Sequence, residues 1–96
     1  MGINDQVQLA EAGRVMRKRI NEAHQHAGVS LIDPAATYID ADVTIGTGTV
    51  IHPGVHLRGR TRIGSGCEIE PGAVVTDCTI GDNVHIKPGS VLSEST

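Results

Sequence analysis

Aliphatic residues return at a nearly constant interval through the second half of the chain. The interval is six residues from Ile39 to Val75, shortens once to five, and is six again from Ile80 to Leu92. The full set is Ile39, Ile45, Ile51, Leu57, Ile63, Ile69, Val75, Ile80, Ile86 and Leu92. From Ile45 onward a small residue lies two positions before each of them. Because alternate residues of a strand share a face, both sets are predicted to point into one narrow core.

A period of about eighteen residues is superimposed on the six-residue interval. Ile-Gly recurs at 45–46, 63–64 and 80–81, and Ile-x-Pro-Gly recurs at 51–54, 69–72 and 86–89. Three six-residue units therefore make one turn of a triangular parallel β-solenoid. Glycine and proline are expected at its corners, where the backbone needs conformations that a Cβ resists. We assign residues 39–96 to about three turns of this solenoid, whose hand the spacing does not determine.

The first 28 residues are predicted to form a helical arm, with a helix over 5–27 that ends at Gly28. Residues 29–38 then form a lead-in with a turn at Asp33-Pro34. An apolar stripe runs along the helix through Leu9, Gly13, Met16, Ile20, Ala23 and Ala27. This stripe contains glycine and alanine, so docking against another surface is favoured over a strong coiled coil. His24 and His26 fall in the last turn, where positive charge suits the helix dipole.

Composition narrows the class of protein further. Of the 96 residues, 39% are hydrophobic, yet Tyr38 is the only aromatic, which predicts a narrow aliphatic interior. The formal net charge is −3, so neither nucleic acid nor an anionic membrane is an expected partner. No apolar run reaches membrane length and no signal peptide is apparent, which favours the cytoplasm. Cys67 and Cys78 occupy inward positions of the repeat and are predicted to be free thiols.

Several segments together resemble one family of enzymes. They are Asn4–Glu11, Arg19–Glu22, Gly28-Val29, Ile32–Pro34 and Thr37–Ile39, followed by the six-residue repeats. These segments resemble the middle of the bifunctional N-acetylglucosamine-1-phosphate uridyltransferase/glucosamine-1-phosphate acetyltransferases. The resemblance covers the chain from Gly2. It implies a short left-handed parallel β-helix of hexapeptide repeats, a homotrimer, and acetyl-CoA as the cofactor of the family.

The departures from that family shape the functional expectation. Its Gly-rich nucleotidyltransferase loop has no counterpart here, and its catalytic histidine lies in later segments that resemble NFVE-x-K and GH-x-x-Y. This sequence, which ends at 93–96, matches neither segment. The resemblance therefore implies a trimerising scaffold in UDP-N-acetylglucosamine biosynthesis for the cell wall, inactive alone and completed by a further domain or a second chain. An acetyl-CoA-dependent acyltransferase acting on an amino sugar phosphate is the alternative, and a γ-carbonic-anhydrase-like metal site is a weaker one.

A few outward-pointing side chains remain as site candidates. His52, His56 and His85 are candidates for a catalytic base. We assign no metal ligand, because the paired histidines of γ-class carbonic anhydrases are five residues apart and His52 and His56 are four apart.

Charged side chains on the predicted solenoid complete the candidates. Arg58, Arg60 and Arg62 cluster near one corner, where they could meet the phosphate of a nucleotide cofactor, a trimer partner or solvent. His52, Glu70 and Lys87 are predicted to stack in one column of alternating charge. No cofactor is assigned to this chain itself.

Overall fold

A computed structural model describes residues 5–93, apart from the side chain of Asp5. One helix, α1 (Asp5–His26), precedes the strands. It ends where Gly28 adopts a φ of +96°. The Gly28 and Val29 amides donate to the carbonyl oxygens of Gln25 (3.1 Å) and His24 (3.0 Å). This pair of bonds is a Schellman cap, which satisfies carbonyls that the helix itself leaves unpaired.

Within residues 5–93, eleven short parallel strands follow α1. They are β1 (Ser30–Leu31), β2 (Tyr38–Ile39), β3 (Thr44–Ile45), β4 (Val50–Ile51), β5 (His56–Arg58), β6 (Arg62–Ile63), β7 (Glu68–Ile69), β8 (Val74–Thr76), β9 (Thr79–Ile80), β10 (His85–Ile86) and β11 (Val91–Ser93). The first sheet has the order β1-β4-β7-β10, the second β2-β5-β8-β11 and the third β3-β6-β9. Successive strands lie on successive sides of a triangle, so the predicted mainly β fold, a parallel β-helix behind one helix, is confirmed. Left-handed coiling stays a prediction from the family resemblance.

The solenoid makes nearly four turns rather than about three, because its first strand lies in the segment interpreted as a lead-in. Ser30 and Leu31 of β1 pair with Val50 and Ile51 of β4. Leu31 is twenty residues before its partner instead of eighteen, since a 3-10 helix (Pro34–Ala36) lengthens this turn. The irregular length hides β1 from a search for six-residue steps.

The interior is a single aliphatic column. Every aliphatic position of the repeat is buried or packs against the buried core, and Ile51, Leu57, Ile69 and Val75 are fully enclosed. Cys67 and Cys78 are buried and unpaired, as predicted. Thr37, Thr49 and Thr61 are also fully buried, and their hydroxyls donate to backbone carbonyls at 2.9, 2.8 and 2.8 Å. Their polarity is therefore satisfied within the coil.

Glycine serves two different purposes at the corners. Gly54, Gly72 and Gly89 have φ values of +79°, +79° and +70°, which confirms the conformational prediction for the Pro-Gly corners. The glycines of the Ile-Gly pairs do not have positive φ. A Cβ on Gly64 would instead meet the backbone carbon and oxygen of Gly81 at 2.7 Å. The prediction for these pairs is corrected: Gly46 and Gly64 are required because the next turn touches them, whereas a Cβ on Gly81 would meet nothing within 4 Å among the described residues.

The arm docks through its C-terminal half. Asn21 is 2% exposed, and its Nδ2 donates to the carbonyls of Pro34 (2.8 Å) and Thr37 (3.2 Å). Farther toward the N-terminus, Val7 and Leu9 are 68% and 71% exposed. Within residues 5–93, no helix has both the length and the apolar character needed to cross a membrane.

Candidate functional site

Two histidines and two glutamates form a continuous cluster on the outer surface of the first sheet. The Nε2–H of His52 donates to Glu68 Oε2 at 2.8 Å, and its Nε2 lies 4.0 Å from Glu70 Oε1. On the next turn, the Nε2–H of His85 donates to Glu70 Oε2 at 2.7 Å. We call these four residues the His–Glu cluster.

Strand register brings the cluster together. Val50, Glu68 and His85 are aligned in β4, β7 and β10, and the other two members directly follow β4 and β7. Side chains one turn apart therefore meet diagonally. The structure unites His52 and His85 through Glu70, although neither histidine contacts the other.

The predicted charge column is only partly correct. Glu70 is the carboxylate between the turns, but it pairs with histidines instead of Lys87. No ion pair of Lys87 occurs within residues 5–93. Sequence reasoning missed Glu68, whose signal is the alternation Glu68-Ile69-Glu70: both carboxylates lie on the outer face of one strand.

The third histidine lies elsewhere and serves the arm. His56 belongs to β5 in the second sheet, where it is aligned with Tyr38 of β2. The two rings stack with centroids 4.6 Å apart and planes 10° from parallel. The Arg17 guanidinium of α1 lies 4.8 Å from the centre of the Tyr38 ring. A cation–π contact of this kind contributes about 0.5–1 kcal/mol at an exposed site. Because the His56 ring stacks on Tyr38, and Tyr38 contacts Arg17, His56 packs beneath a contact between α1 and the second sheet.

The three candidate arginines surround one corner, as the sequence predicts. Arg58 ends β5, Arg62 begins β6 and Arg60 lies in the turn between them. Carboxylates from neighbouring turns hold this corner through its backbone. Asp40 Oδ2 accepts from the Gly59 amide, and Asp77 Oδ1 accepts from the Arg60 amide, both at 2.9 Å. Within the described part of the chain the three guanidinium groups make no ion pair, so they form an exposed cationic corner.

The larger of two grooves lies beside α1, and none of the candidate histidines or arginines named above lines it. It encloses about 440 Å³ and is lined by Arg14, Arg17, Lys18, Asn21, Glu22, Gln25, Pro34 and Ala35. The Oδ1 atom of Asn21 is buried, and no other described residue hydrogen-bonds to it. The groove is a consequence of the arm meeting the first turn along only half of its length.

Burial also changes the electrostatics at the end of the arm. Desolvation lowers the pKa of His24 below its ordinary value of 6.5. The charged form of this imidazole is thus disfavoured, and the predicted interaction of a positive His24 with the helix dipole is outweighed by burial.

The solenoid and its repeat define the class of protein. The family model "Bacterial transferase hexapeptide (six repeats)" matches residues 42–77 and 60–94. These matches cover more than half of the chain, so the chain belongs to the bacterial hexapeptide transferase family.

Individual relatives are more specific. The chain is 61% identical over 95 residues to the bifunctional protein GlmU of Syntrophotalea carbinolica and 59% identical over 95 residues to that of Trichlorobacter lovleyi, with 99% of this chain covered in each. It is 50% identical over 92 residues to the bifunctional protein GlmU of Listeria monocytogenes serotype 4b, with 96% covered. The resemblance predicted from the sequence is confirmed. The chain spans 20–21% of the length of these relatives.

Proposed function

We propose that the chain is the helical arm and the first turns of the acetyltransferase domain of a bifunctional uridyltransferase/acetyltransferase, acting as a trimerising scaffold in UDP-N-acetylglucosamine synthesis without turnover of its own. The observation that carries this proposal is the extent of the match, 61% identity over 95 residues. Such a match includes α1 and the segment before β2. These segments are not part of the hexapeptide repeat, so the repeat alone does not account for their similarity.

Exposed apolar side chains support association with other chains. On α1, Leu9 and Met16 are 71% and 52% exposed, and on the second sheet Val91 is 74% exposed. Leu9 and Met16 are seven residues apart and therefore share one face of α1, and a contiguous exposed apolar patch commonly marks an interaction surface. A homotrimer, with a further domain or a second chain completing the enzyme, fits this surface. The unpaired cysteines fit a cytoplasmic location.

The described grooves support an absence of turnover. Both lie beside α1, and neither is lined by His52, His56 or His85. A general base needs to reach a bound substrate within hydrogen-bond distance. Arg58, Arg60 and Arg62 are exposed on an open corner, which neither of these grooves includes.

Two measurements test the scaffold. A thiol-release assay with acetyl-CoA and glucosamine 1-phosphate should remain at background. Light scattering should give three times the 10.1 kDa mass of the chain. A stable monomer at micromolar concentration would contradict the proposed trimer, and sustained thiol release would contradict the proposed inactivity.

One observation favours an active acyltransferase as the second candidate. His52 is hydrogen-bonded to Glu68 at 2.8 Å, the arrangement in which a carboxylate orients a basic imidazole. Thiol release that is lost in His52→Gln and kept in His56→Gln would establish this candidate. The weaker γ-carbonic-anhydrase-like alternative has less support, because His52 and His56 lie on different sheets.

A further inference from the structure

Three side chains that commonly bind transition metals converge on the first sheet. His52, Glu68 and Glu70 each offer one ligand atom, and these atoms lie within 4.8 Å of one another. The backbone beneath them is fixed by the parallel ladder, since the amides of His52 and Glu70 each donate across a turn at 3.0 Å. The three ligands are therefore held on a rigid surface, which limits the entropy lost when an ion binds.

The spacing fits a small four-coordinate ion. Zinc bonds to imidazole nitrogen and carboxylate oxygen are about 2.0–2.2 Å long, so tetrahedral ligands are separated by roughly 3.3–3.5 Å. His52 Nε2 lies 2.8 Å from Glu68 Oε2 and 4.0 Å from Glu70 Oε1, distances on either side of that value. All three ligand atoms lie within 4.8 Å of one another, so an ion would draw them together through rotation of the two glutamate side chains.

The charge of the cluster also favours a cation. Neither Glu68 nor Glu70 has a lysine or arginine within 4.0 Å among residues 5–93; the partners of both are histidines. A divalent ion would neutralise both carboxylates. A nitrogen ligand with few oxygens suits zinc, whereas magnesium prefers an octahedral shell of oxygens.

We propose that His52, Glu68 and Glu70 bind one divalent transition metal, of which Zn²⁺ is the best match, with solvent in the fourth position. The ion takes the Nε2 lone pair of His52, so the ring proton moves to Nδ1 and the hydrogen bond to Glu68 gives way to two metal bonds. His85 is a positioning residue, because its 2.7 Å hydrogen bond holds Glu70 in place. The ion would link the turn that contains β4 to the turn that contains β7.

Calorimetric titration of the metal-free full chain with ZnCl₂ tests the site. We expect one ion per chain. Glu68→Gln and Glu70→Gln should each weaken binding by about tenfold or more, as should His52→Gln, and His85→Gln by less. Glu68 is the first choice of variant, because its side chain is 47% exposed and its loss should leave the fold intact. His56→Gln, a histidine on the second sheet, should bind zinc as the parent does.

A second readout separates this site from adventitious histidine binding. Co²⁺ in the site should give the strong visible absorption of four-coordinate cobalt, and Glu70→Gln should abolish it. The double variant His24→Gln/His26→Gln, which removes the two histidines of α1, should retain both binding and the cobalt spectrum. The proposal is overturned if no saturable zinc binding occurs, if the glutamate variants bind as tightly as the parent, or if only the double variant loses the ion.

Discussion

Replacing Gly64 with alanine adds one methyl group at a place where two turns of the solenoid touch. The new Cβ would lie 2.7 Å from the backbone carbon and oxygen of Gly81 and would also collide with the Asp82 carboxylate. Gly81 occupies the same position of the repeat one turn later, and a Cβ there meets nothing within 4 Å among the described residues. The two glycines thus form a matched pair, since only Gly64 is in close contact with a following turn of the solenoid.

The magnitude follows from what the two substitutions share. Each removes about the same conformational freedom from the unfolded chain, a stabilising effect of about 0.4–1 kcal/mol where the backbone is compatible. That contribution cancels between the variants, and the remaining difference is the overpacking at position 64, about 1–3 kcal/mol. For a domain of this size, 1 kcal/mol corresponds to about 4–8 °C in Tm. Gly64→Ala should therefore unfold at least about 4 °C below Gly81→Ala.

Thermal unfolding followed by far-UV circular dichroism measures the difference, with all proteins at one concentration because association would shift Tm. The double variant Gly64→Ala/Asp82→Ala locates the clash. If the backbone contact dominates, removing the carboxylate restores little stability. Equal Tm values for Gly64→Ala and Gly81→Ala would refute the conclusion that close contact between turns is what requires glycine at position 64.

Three further changes probe the core, the arm and the pH dependence. Leu57→Ala should lower the free energy of unfolding by about 2–5 kcal/mol. Ile32→Ala, at a side chain that is 59% exposed, should change it by less than about 0.5 kcal/mol in the same urea titration. Similar losses in the two variants would contradict the assigned core. Asn21→Ala removes the hydrogen bond to the Thr37 carbonyl and leaves the Pro34 carbonyl with the Thr37 amide alone, at 3.3 Å. The loss should cost about 1–3 kcal/mol, with faster amide exchange in α1 than Glu22→Ala produces. Identical exchange in the two variants would disprove the docking role. Burial lowers the pKa of His24 below 6.5, so the unfolded state takes up the proton first and the free energy of unfolding falls as pH drops through about 6.5. His24→Gln should reduce this fall in stability between about pH 7 and 5. An unchanged dependence of stability on pH would exclude His24 as its source.

The repeat made the solenoid predictable, because each inward position is specified by a local period and each turn repeats the pattern of the last. Leu57 and Val75 could be assigned to the core by counting alone. The first strand could not, since the extra length around Pro34 breaks the count. The role of Gly64 was equally out of reach: its φ is ordinary, and only the stacking of Gly81 upon it makes a Cβ intolerable.

For the candidate site, the sequence predicted where side chains lie but not which of them make contact. From the sequence, His52 and His85 could be placed on one face, and Arg58, Arg60 and Arg62 around one corner. Their partners could not be determined from the sequence. The side-chain rotamer of Glu70 decides whether it contacts Lys87, which is in its predicted column, or His85, which is not. The sequence by itself determined the fold class, the inward face of each strand from β2 onward, and the family. Only the tertiary structure decided which outer side chains meet, since contacts between turns depend on side-chain direction and on backbone separation, which no periodic pattern contains.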